Sequence, residues 1–220
     1  MPQEKDWERF WTQGSPSKDG KVSWSKKRIC DVLKKYVTLD HQALDAGCGS
    51  GFFSAYFCNC GMKTTAIDYS EKALAMAQRV TRGKAKILKV NLLENSLLAV
   101  ISGSFDLVFT DGLLEHFSSS EQDQILQNLK SVLADDGVII TFVPNLWSSW
   151  ELIRPFCMPG IKEVPFQLKQ LVDLNERNGL IIVEKGGVNT IPFRYSPDKL
   201  FGSTFGMLLY TVAQKSTRSS

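Results

Sequence analysis

The sequence predicts an α/β fold, a doubly wound and mostly parallel seven-stranded sheet with helices on both faces. Apolar runs of strand length alternate along the chain with stretches in which apolar residues recur at the three- to four-residue spacing of amphipathic helices. A glycine-rich turn, Gly47–Gly51, joins the first strand to the next helix, which is where open parallel sheets bind their ligands. Strands that are separated by helices pair in parallel and are covered on both faces.

The length and composition fit one domain over residues 1–220. Hydrophobic residues make up 43% of the chain, enough for one substantial core. The net charge of +3 is too small to favour nucleic acid as a partner. Five cysteines, an odd number without C-x-x-C spacing, indicate neither a disulfide framework nor a zinc site. The charged, aromatic amino terminus and the lack of an apolar run of membrane-spanning length predict a cytoplasmic protein that does not enter a membrane.

The predicted elements follow the change in apolar spacing along the chain. A first helix begins near Ser25, because Ile29, Val32 and Leu33 recur at helical spacing. A later helix begins with the capping-box pattern of Ser118 and Glu121. The predicted strands are Gln42–Ala46, Lys63–Ile67, Lys86–Val90, Phe105–Thr110, Val138–Val143, Leu180–Glu184 and Met207–Ala213. The predicted helices between them are Gly51–Cys60, Glu71–Arg79, Glu121–Leu133 and Gln167–Asn178.

The same pattern divides the domain into four segments. Residues 1–40 form an amino-terminal helical cap, and residues 41–145 form the cofactor-binding core. Residues 146–166 carry prolines and bulky aromatics without a steady period, which favours a lid-like insertion. Residues 167–220 supply the last helix and strands, joined by an aromatic loop over 189–201, and Gly137 is expected to end the helical unit before the fifth strand.

The glycine turn distinguishes two cofactor classes. A dinucleotide-binding turn has the pattern G-x-G-x-x-G, in which the last glycine eases the packing of helix against strand. Here the sequence is "GCGSG", a G-x-G-x-G pattern, and Phe52 stands where that last glycine would be. The spacing therefore disfavours a nucleotide-dependent dehydrogenase.

The stretch "LDAGCGSGFF" resembles the first motif of the class I S-adenosylmethionine-dependent methyltransferases, which have a Rossmann-like fold. The likeness continues through "TTAIDYS", "ILKVNLL" and "FDLVFTDGLLEHF", and the last of these looks like the small-molecule branch of the family. It implies that S-adenosylmethionine is the cofactor and that its amino-acid part lies over the glycine turn, with the ribose on Asp68 and the adenine beside Tyr69 and Asn91. The implied cofactor-binding set is Asp45, Gly47, Cys48, Gly49, Gly51, Asp68, Tyr69, Asn91, Leu92 and Thr110.

Physical chemistry supports two of these roles and leaves an alternative for each. A carboxylate such as Asp68 accepts hydrogen bonds from both hydroxyls of a ribose. The alternative is a charge favoured by the amino terminus of the following helix. Asn91 suits the edge of an adenine, but asparagine is also an ordinary turn residue at the end of a strand.

The sulfonium of the cofactor carries an activated methyl group, so the reaction is an in-line displacement for which a base is optional. His116 is the leading candidate for a catalytic base because of its pKa, with Glu115 beside it in "DGLLEHF". The alternative is that both residues brace the turn. Asp111 and Tyr195 are weaker candidates. Some relatives hold a divalent metal on Glu-x-x-Glu-His at this turn, but Gly112 replaces the first Glu, so no metal is expected.

Aromatic residues before and after the core together predict a small, flat or apolar methyl acceptor, although packing of a small helix onto the domain explains Trp7 or Trp150 equally well when each is taken singly. They are Trp7, Phe10, Trp11, Trp147, Trp150 and Phe156.

Two other functions remain open. One is a methyltransferase that acts on RNA or protein, for which the basic helix face could contact phosphates; that face consists of Lys26, Lys27, Arg28, Lys34 and Lys35. The other is a non-catalytic cofactor-binding or scaffolding protein of the same fold, which the intact cofactor motif disfavours. The sequence leaves open the identity of the acceptor, the atom that is methylated and the oligomeric state.

Overall fold

The computed structural model describes residues 22–94, 96–151, 153 and 163–216. The strands are β1 (Gln42–Ala46), β2 (Lys63–Asp68), β3 (Lys86–Lys89), β4 (Phe105–Asp111), β5 (Leu133–Pro144), β6 (Leu180–Val188) and β7 (Leu208–Lys215). The helices are α1 (Trp24–Leu33), α2 (Phe52–Asn59), α3 (Glu71–Val80), α4 (Leu97–Val100), α5 (Ser119–Ser131), α6 (Leu168–Arg177) and α7 (Asp198–Phe205).

The seven strands form one sheet in the order β3-β2-β1-β4-β5-β7-β6. The first five strands are parallel, and β7 runs antiparallel between β5 and β6. The doubly wound, mostly parallel sheet predicted from the sequence is therefore confirmed. The strand order reverses between β1 and β4, and a ligand cleft is expected outside the carboxyl ends of the strands at such a point.

Alternate residues of each strand pack into two cores on opposite faces of the sheet. In β1, Leu44 and Ala46 belong to the core beneath α5 and α6, whereas Ala43 belongs to the core beneath α1 and α2. The second core is aromatic: the ring centroids of Phe53 and Phe109 lie 4.8 Å apart. Helices therefore cover both faces and leave the edge at the carboxyl ends of the strands for a site.

The boundaries of most elements lie within two residues of their predicted positions, but β5 begins earlier than predicted. It starts at Leu133, where the predicted helix was to end, and Gly137 lies inside it instead of before it. The pairing of β5 with β4 shifts between Phe105 and Leu107, which marks a bulge. A Cβ on Gly137 would lie 2.7 Å from the carbonyl oxygen of Phe105, so the glycine permits this close approach.

The prediction of a loop over 189–201 is wrong at its carboxyl-terminal end, because α7 begins at Asp198. The helix packs so closely on β6 that a Cβ on Gly202 would lie 2.0 Å from the carbonyl oxygen of Gly187. Close approach requires a glycine within the helix, and that glycine weakens the helical signal of the sequence. The short helix α4 was also not predicted.

The two ends of the lid-like insertion meet beside the sheet. Phe166 donates its N–H to the carbonyl of Pro144 at 2.9 Å and accepts from Leu146 N–H at 2.9 Å. Val164 N–H donates to the carbonyl of Glu115 at 2.9 Å. Of the predicted aromatic roof, Trp7, Phe10, Trp11 and Phe156 lie outside the described residues. Within those residues, no helix has the length and apolar character needed to cross a bilayer.

Candidate active site

A cavity of about 360 Å³ opens at the carboxyl ends of β1, β2 and β4, where the strand order reverses. It brings together the glycine turn, the ends of three strands and the segment that follows β4. The predicted site residues that line it are Asp45, Gly47, Cys48, Gly49, Asp68, Tyr69, Asn91, Leu92, Asp111, Glu115 and His116. Such a cavity, with apolar walls and a few polar groups, is typical of a small-ligand site.

The glycine turn has a left-handed backbone that favours glycine. Gly47, Gly49 and Gly51 have φ angles of 73°, 50° and 80°. Gly47 and Gly49 line the cavity, but Gly51 does not. A Cβ on Gly51 would lie 2.5 Å from Cα of Ala77 in α3, so this glycine allows helix α3 to approach the turn. Its place in the cofactor-binding set is therefore one of packing beneath the turn.

Asp68 ends β2 and connects the turn to the next helix. Its carboxylate accepts from Gly49 N–H and from Ser70 N–H, each at 2.9 Å. The helix-terminus role considered above is thus present, because Ser70 is the N-cap of α3. The carboxylate also lines the cavity. The helix-terminus role is therefore observed, and ribose binding by Asp68 stays a prediction.

Two further carboxyl groups, Asp45 in β1 and Asp111 at the end of β4, line the cavity and have raised pKa values. Asp45 is 2% exposed and accepts a hydrogen bond from Ser54 Oγ. Burial raises the pKa of Asp45 to about 7, the Ser54 hydroxyl opposes this, and the negative charge of Asp111 adds to it. Burial likewise raises the pKa of the half-buried Asp111 to about 6, against the positive charge of Lys26. Such carboxyl groups suit a site for a cationic ligand, whose charge would favour their ionised form.

Asn91 and Thr110 show how the strand ends differ. Asn91 lines the cavity, and its Oδ1 also accepts from Leu93 N–H at 3.1 Å, so the turn role considered above is present too. Thr110 is fully buried within β4 and is absent from the cavity wall. Its Oγ1 has no hydrogen-bond partner among the described residues. Thr110 therefore lies inside the sheet and does not line the cavity, unlike the other strand-end residues of the predicted set.

Glu115 and His116 also line the cavity, from a short 3-10 helix over Leu114–His116. Both are buried, with 2% and 8% of their surface exposed. Glu163 returns from the insertion to join them, and one ligand-type atom from each of the three residues lies within 4.8 Å of the others. The sequence motif offers two metal ligands at this turn, Glu115 and His116, and Glu163 makes a third. The absence of a metal therefore stays a prediction.

Three features of the cavity were not predicted from the sequence. Lys26, assigned to the solvent-facing basic side of α1, is half-buried and lines the cavity. Phe52, singled out because it is not glycine, forms part of the wall, as does Glu163. The position of Phe52 directly after the turn could have predicted its place in the wall. No local sequence pattern indicates that Glu163 lines the cavity.

The remaining predicted side chains lie elsewhere in the described part of the chain. Trp147 and Tyr195 are 62% and 79% exposed and, like Trp150, are not in the cavity wall. His41 precedes β1 at the amino-terminal end of the strands, away from the cavity, and its Nδ1 lies 3.8 Å from a carboxylate oxygen of Asp106. His116 is thus the one histidine at the site, because the chain has two.

The residues present fit the parts of S-adenosylmethionine. The left-handed backbone at Gly47 and Gly49 leaves room for a ligand, and Asp68 offers a carboxylate to a ribose. Tyr69 and Leu92 add apolar surface of the kind that holds an adenine. Asp45 and Asp111 supply negative charge near the turn for the ammonium and sulfonium groups.

The chain is similar in sequence to known methyltransferases. A family profile described as a methyltransferase domain matches residues 44–141. The magnesium protoporphyrin IX methyltransferase of Arabidopsis thaliana chloroplasts is 32% identical over 159 residues, 69% of this chain and 50% of that protein. A ribosomal-protein methyltransferase of Thermotoga neapolitana is 29% identical over 111 residues, 50% of this chain and 41% of its own length. The chain thus spans between two fifths and one half of these relatives.

The fold is similar to that of a methyltransferase of known structure. The N-methyltransferase NodS of Bradyrhizobium japonicum, in complex with S-adenosylhomocysteine, superposes with a TM-score of 0.71 at 15% identity, over 98% of this chain and all of that chain. The glycine turn, Gly47–Gly51, and the first four strand ends lie within the residues 44–141 that the profile matches. Residues 44–141 thus form a methyltransferase domain, and the chain has the fold of the class I S-adenosylmethionine-dependent methyltransferases.

Proposed function

We propose that this protein transfers the methyl group of S-adenosylmethionine to a small-molecule acceptor by in-line displacement. The observation that carries the proposal is one cavity whose wall holds two sets of groups. One set suits the cofactor and runs from the glycine turn to Asp68 and Asn91. The other set is the buried pair Glu115 and His116, where an acceptor would meet the methyl group.

Bound S-adenosylmethionine supplies a methyl group that is already activated by the sulfonium. Held by the glycine turn, Asp68 and Asn91, the cofactor would supply its methyl carbon to the acceptor nucleophile, and the electron pair of the broken carbon–sulfur bond would stay on sulfur. His116 accepts the proton of an acceptor that has not already lost it. The protein otherwise holds the two reactants in line and excludes water, and orientation of this kind contributes on the order of 7–11 kcal/mol.

The walls of the cavity support an acceptor that is flat or apolar. Leu113 and Phe117 flank the Glu115–His116 pair, and Phe52 lies between the glycine turn and α1. Aromatic and aliphatic walls favour ring compounds. The name of the Arabidopsis relative gives a porphyrin, a flat ring system, as its substrate.

We further propose that residues 146–166 act as a lid over the acceptor end. The backbone contacts of Phe166 and Val164 support this, because they bring the end of the insertion back beside Glu115. Glu163 then enters the cavity from the insertion itself. A lid that contributes a wall residue would exclude water only when it is in place.

A macromolecular acceptor is the second candidate, favoured by the name of the Thermotoga relative, which acts on a ribosomal protein. The basic face of α1 gives it little support. Arg28 Nε lies 2.9 Å from Asp198, Lys34 Nζ lies 2.6 Å from Asp31, and Lys35 Nζ lies 2.7 Å from Glu184. These charges are neutralised within the chain and are less available to phosphates.

The test is transfer of an isotopically labelled methyl group from S-adenosylmethionine to three separate pools: small aromatic, thiol and hydroxy-acid compounds, total RNA, and total protein. We expect label in the small-molecule pool. Label in the RNA or protein pool would replace the proposal with the second candidate. Cofactor binding without labelled product in any pool would favour the non-catalytic alternative.

The role of His116 is tested with the acceptor that the screen identifies. His116→Ala should lower turnover by about 10²–10⁴-fold if the side chain is the base, with the affinity for S-adenosylhomocysteine nearly unchanged. His41→Ala is the matched control, because His41 is half-exposed at the far edge of the sheet. Equal losses of turnover and of cofactor affinity in His116→Ala would assign the residue to bracing the turn.

A further inference from the structure

A second cavity, which we call the α1 groove, adjoins the candidate active site and carries the opposite charge. It has a volume of about 500 Å³ and lies between α1, α2 and the segment that joins β6 to α7. Four basic residues and one acidic residue line it in the described part of the chain: Lys27, Arg28, Lys34, Arg194 and Asp31. The described wall of the active-site cavity has five carboxylates and one lysine. The two cavities therefore favour ligand groups of opposite charge.

Two of the four cations of the α1 groove are paired within the protein. Arg28 Nε lies 2.9 Å from a carboxylate oxygen of Asp198, and the same guanidinium donates to the carbonyl of Phe193. Lys34 Nζ lies 2.6 Å from Asp31, the one acid of the groove among the described residues. The contacts of Arg28 hold the segment between β6 and α7 against α1, and the two ion pairs leave two cations of the groove for a ligand.

Those two cations are Lys27 and Arg194. Among the described residues, neither belongs to an ion pair within 4.0 Å. Lys27 Nζ lies 4.4 Å from the ring centroid of Trp24, and the guanidinium carbon of Arg194 lies 5.5 Å from that of Tyr195. Contact with a ring orients a cation without neutralising its charge. The groove therefore presents two positive charges, from segments that only the fold brings together.

The rest of the groove is aromatic and connects it to the active site. Trp24, Phe52 and Tyr56 line the groove. Phe52, the first residue of α2, also lines the active-site cavity. Because one side chain belongs to both walls, the two cavities adjoin at Phe52. A flat ligand that packs against this ring contacts both cavities.

The charges of the two cavities then indicate the class of acceptor. An anionic substituent on a flat acceptor would be repelled by the carboxylates of the active-site cavity and attracted by Lys27 and Arg194. We propose that the α1 groove binds an anionic substituent of the methyl acceptor, whose apolar part packs against Phe52. The acceptor is then an apolar acid and not a neutral compound. This inference rests on the proposed function, methyl transfer to a small molecule.

The test uses two probes of similar shape and different charge. 2-Naphthoate is a flat aromatic carboxylate, and 2-naphthamide is its neutral counterpart. The binding of each probe is measured by NMR titration of the wild type, Lys27→Gln, Arg194→Gln and the double variant, with saturating S-adenosylhomocysteine and without it. Lys199→Gln is the matched control, because Lys199 is an exposed lysine of α7 that lines neither cavity.

We expect each single substitution to weaken the binding of 2-naphthoate by about three- to tenfold, between the loss of an exposed ion pair and that of a hydrogen bond to a charged group. 2-Naphthamide should bind every variant within about twofold of the wild type, because it has no charge for the lost cation to meet. The double variant should bind the two probes alike, and Lys199→Gln should bind both like the wild type.

The acceptor that the label-transfer screen identifies connects the groove to the reaction. 2-Naphthoate should compete with this acceptor. Lys27→Gln and Arg194→Gln should raise its KM and leave kcat nearly unchanged, because the anion contact holds the acceptor without touching the reacting atoms.

Two results would overturn the proposal. Binding of 2-naphthoate that the substitutions leave unchanged would mean that the groove does not recognise the anion. Weakened binding of 2-naphthoate with an unchanged KM for the acceptor would assign the groove to an anion other than the acceptor. Failure of the wild type to bind S-adenosylhomocysteine would instead refute the proposed function, whereas the titrations without it test anion binding by the groove separately.

Discussion

Replacing Asp45 by asparagine should change how the stability of the protein depends on pH. Burial raises the pKa of this carboxyl to about 7 in the folded protein, whereas an aspartate in an unfolded chain has a pKa of about 3.9. Between these values the native state holds a proton that the unfolded state has released. The free energy of unfolding of the wild type therefore falls as the pH rises from about 4 to about 7.

The size of the effect follows from the pKa difference. One pKa unit corresponds to about 1.4 kcal/mol, and the native carboxyl is half ionised near pH 7, so the titration of Asp45 lowers the free energy of unfolding by about 2 kcal/mol between pH 5 and pH 7. The side chain is 2% exposed, so solvent screening reduces this little. An asparagine cannot titrate. The stability of Asp45→Asn relative to the wild type should thus rise by about 3 kcal/mol from pH 5 to pH 8, or roughly 6–12 °C in Tm.

The assay is thermal and urea unfolding of the ligand-free protein at pH 5, 6.5 and 8. Asp135→Asn is the control, because it makes the same chemical change on a side chain that is 98% exposed. Comparison at several pH values removes the constant contribution of the new amide and of its contact with Ser54. A stability difference between Asp45→Asn and the wild type that is the same at pH 5 and pH 8 would refute the raised pKa.

Three other predictions concern the turn and the acceptor end. Gly51→Ala should destabilise the fold by roughly 2–5 kcal/mol, since its φ is left-handed and its Cβ would overlap Ala77; Gly103→Ala, with φ 94° and no atom within 4 Å, should lose only the backbone part. The affinity for S-adenosylhomocysteine should fall as the pH drops below about 7, because protonated Asp45 no longer attracts the ammonium; a flat profile from pH 6 to 8 would contradict this. A chelator should leave turnover unchanged if His116 acts as a base; a loss that a divalent cation restores would assign the Glu115, His116 and Glu163 group to a metal.

The strand and helix pattern of the core was predictable because each element obeys its own local rule. The buried strands β1 and β4 are short apolar runs, and the capping box of Ser118 and Glu121 is present as predicted. The position of the glycine turn could be predicted because its backbone conformation is one that only glycine adopts readily. Local rules of this kind need no knowledge of the rest of the chain.

The features that escaped prediction depend on contacts between distant segments. Gly202 weakens the helical signal of α7 for the sake of a close contact with Gly187, which is remote in sequence. Lys26 resembles any solvent-facing lysine until the position of α1 above Phe52 is known. Glu163 reaches the site only because the insertion returns to Glu115. Sequence spacing carries no record of such contacts.

The most direct test of the account is calorimetric titration of S-adenosylhomocysteine and of NAD into the wild type and Asp68→Ala. Glu71→Ala is the matched control, since that carboxylate lies three residues later, is exposed, and pairs with Lys89 on the surface. We predict one S-adenosylhomocysteine per chain, no binding of NAD, and a loss of at least about 10-fold in affinity in Asp68→Ala alone, because two ribose hydroxyls lose a charged acceptor. Binding of NAD in preference to S-adenosylhomocysteine, or an unchanged affinity in Asp68→Ala, would contradict the cofactor position from which the rest of the account is built.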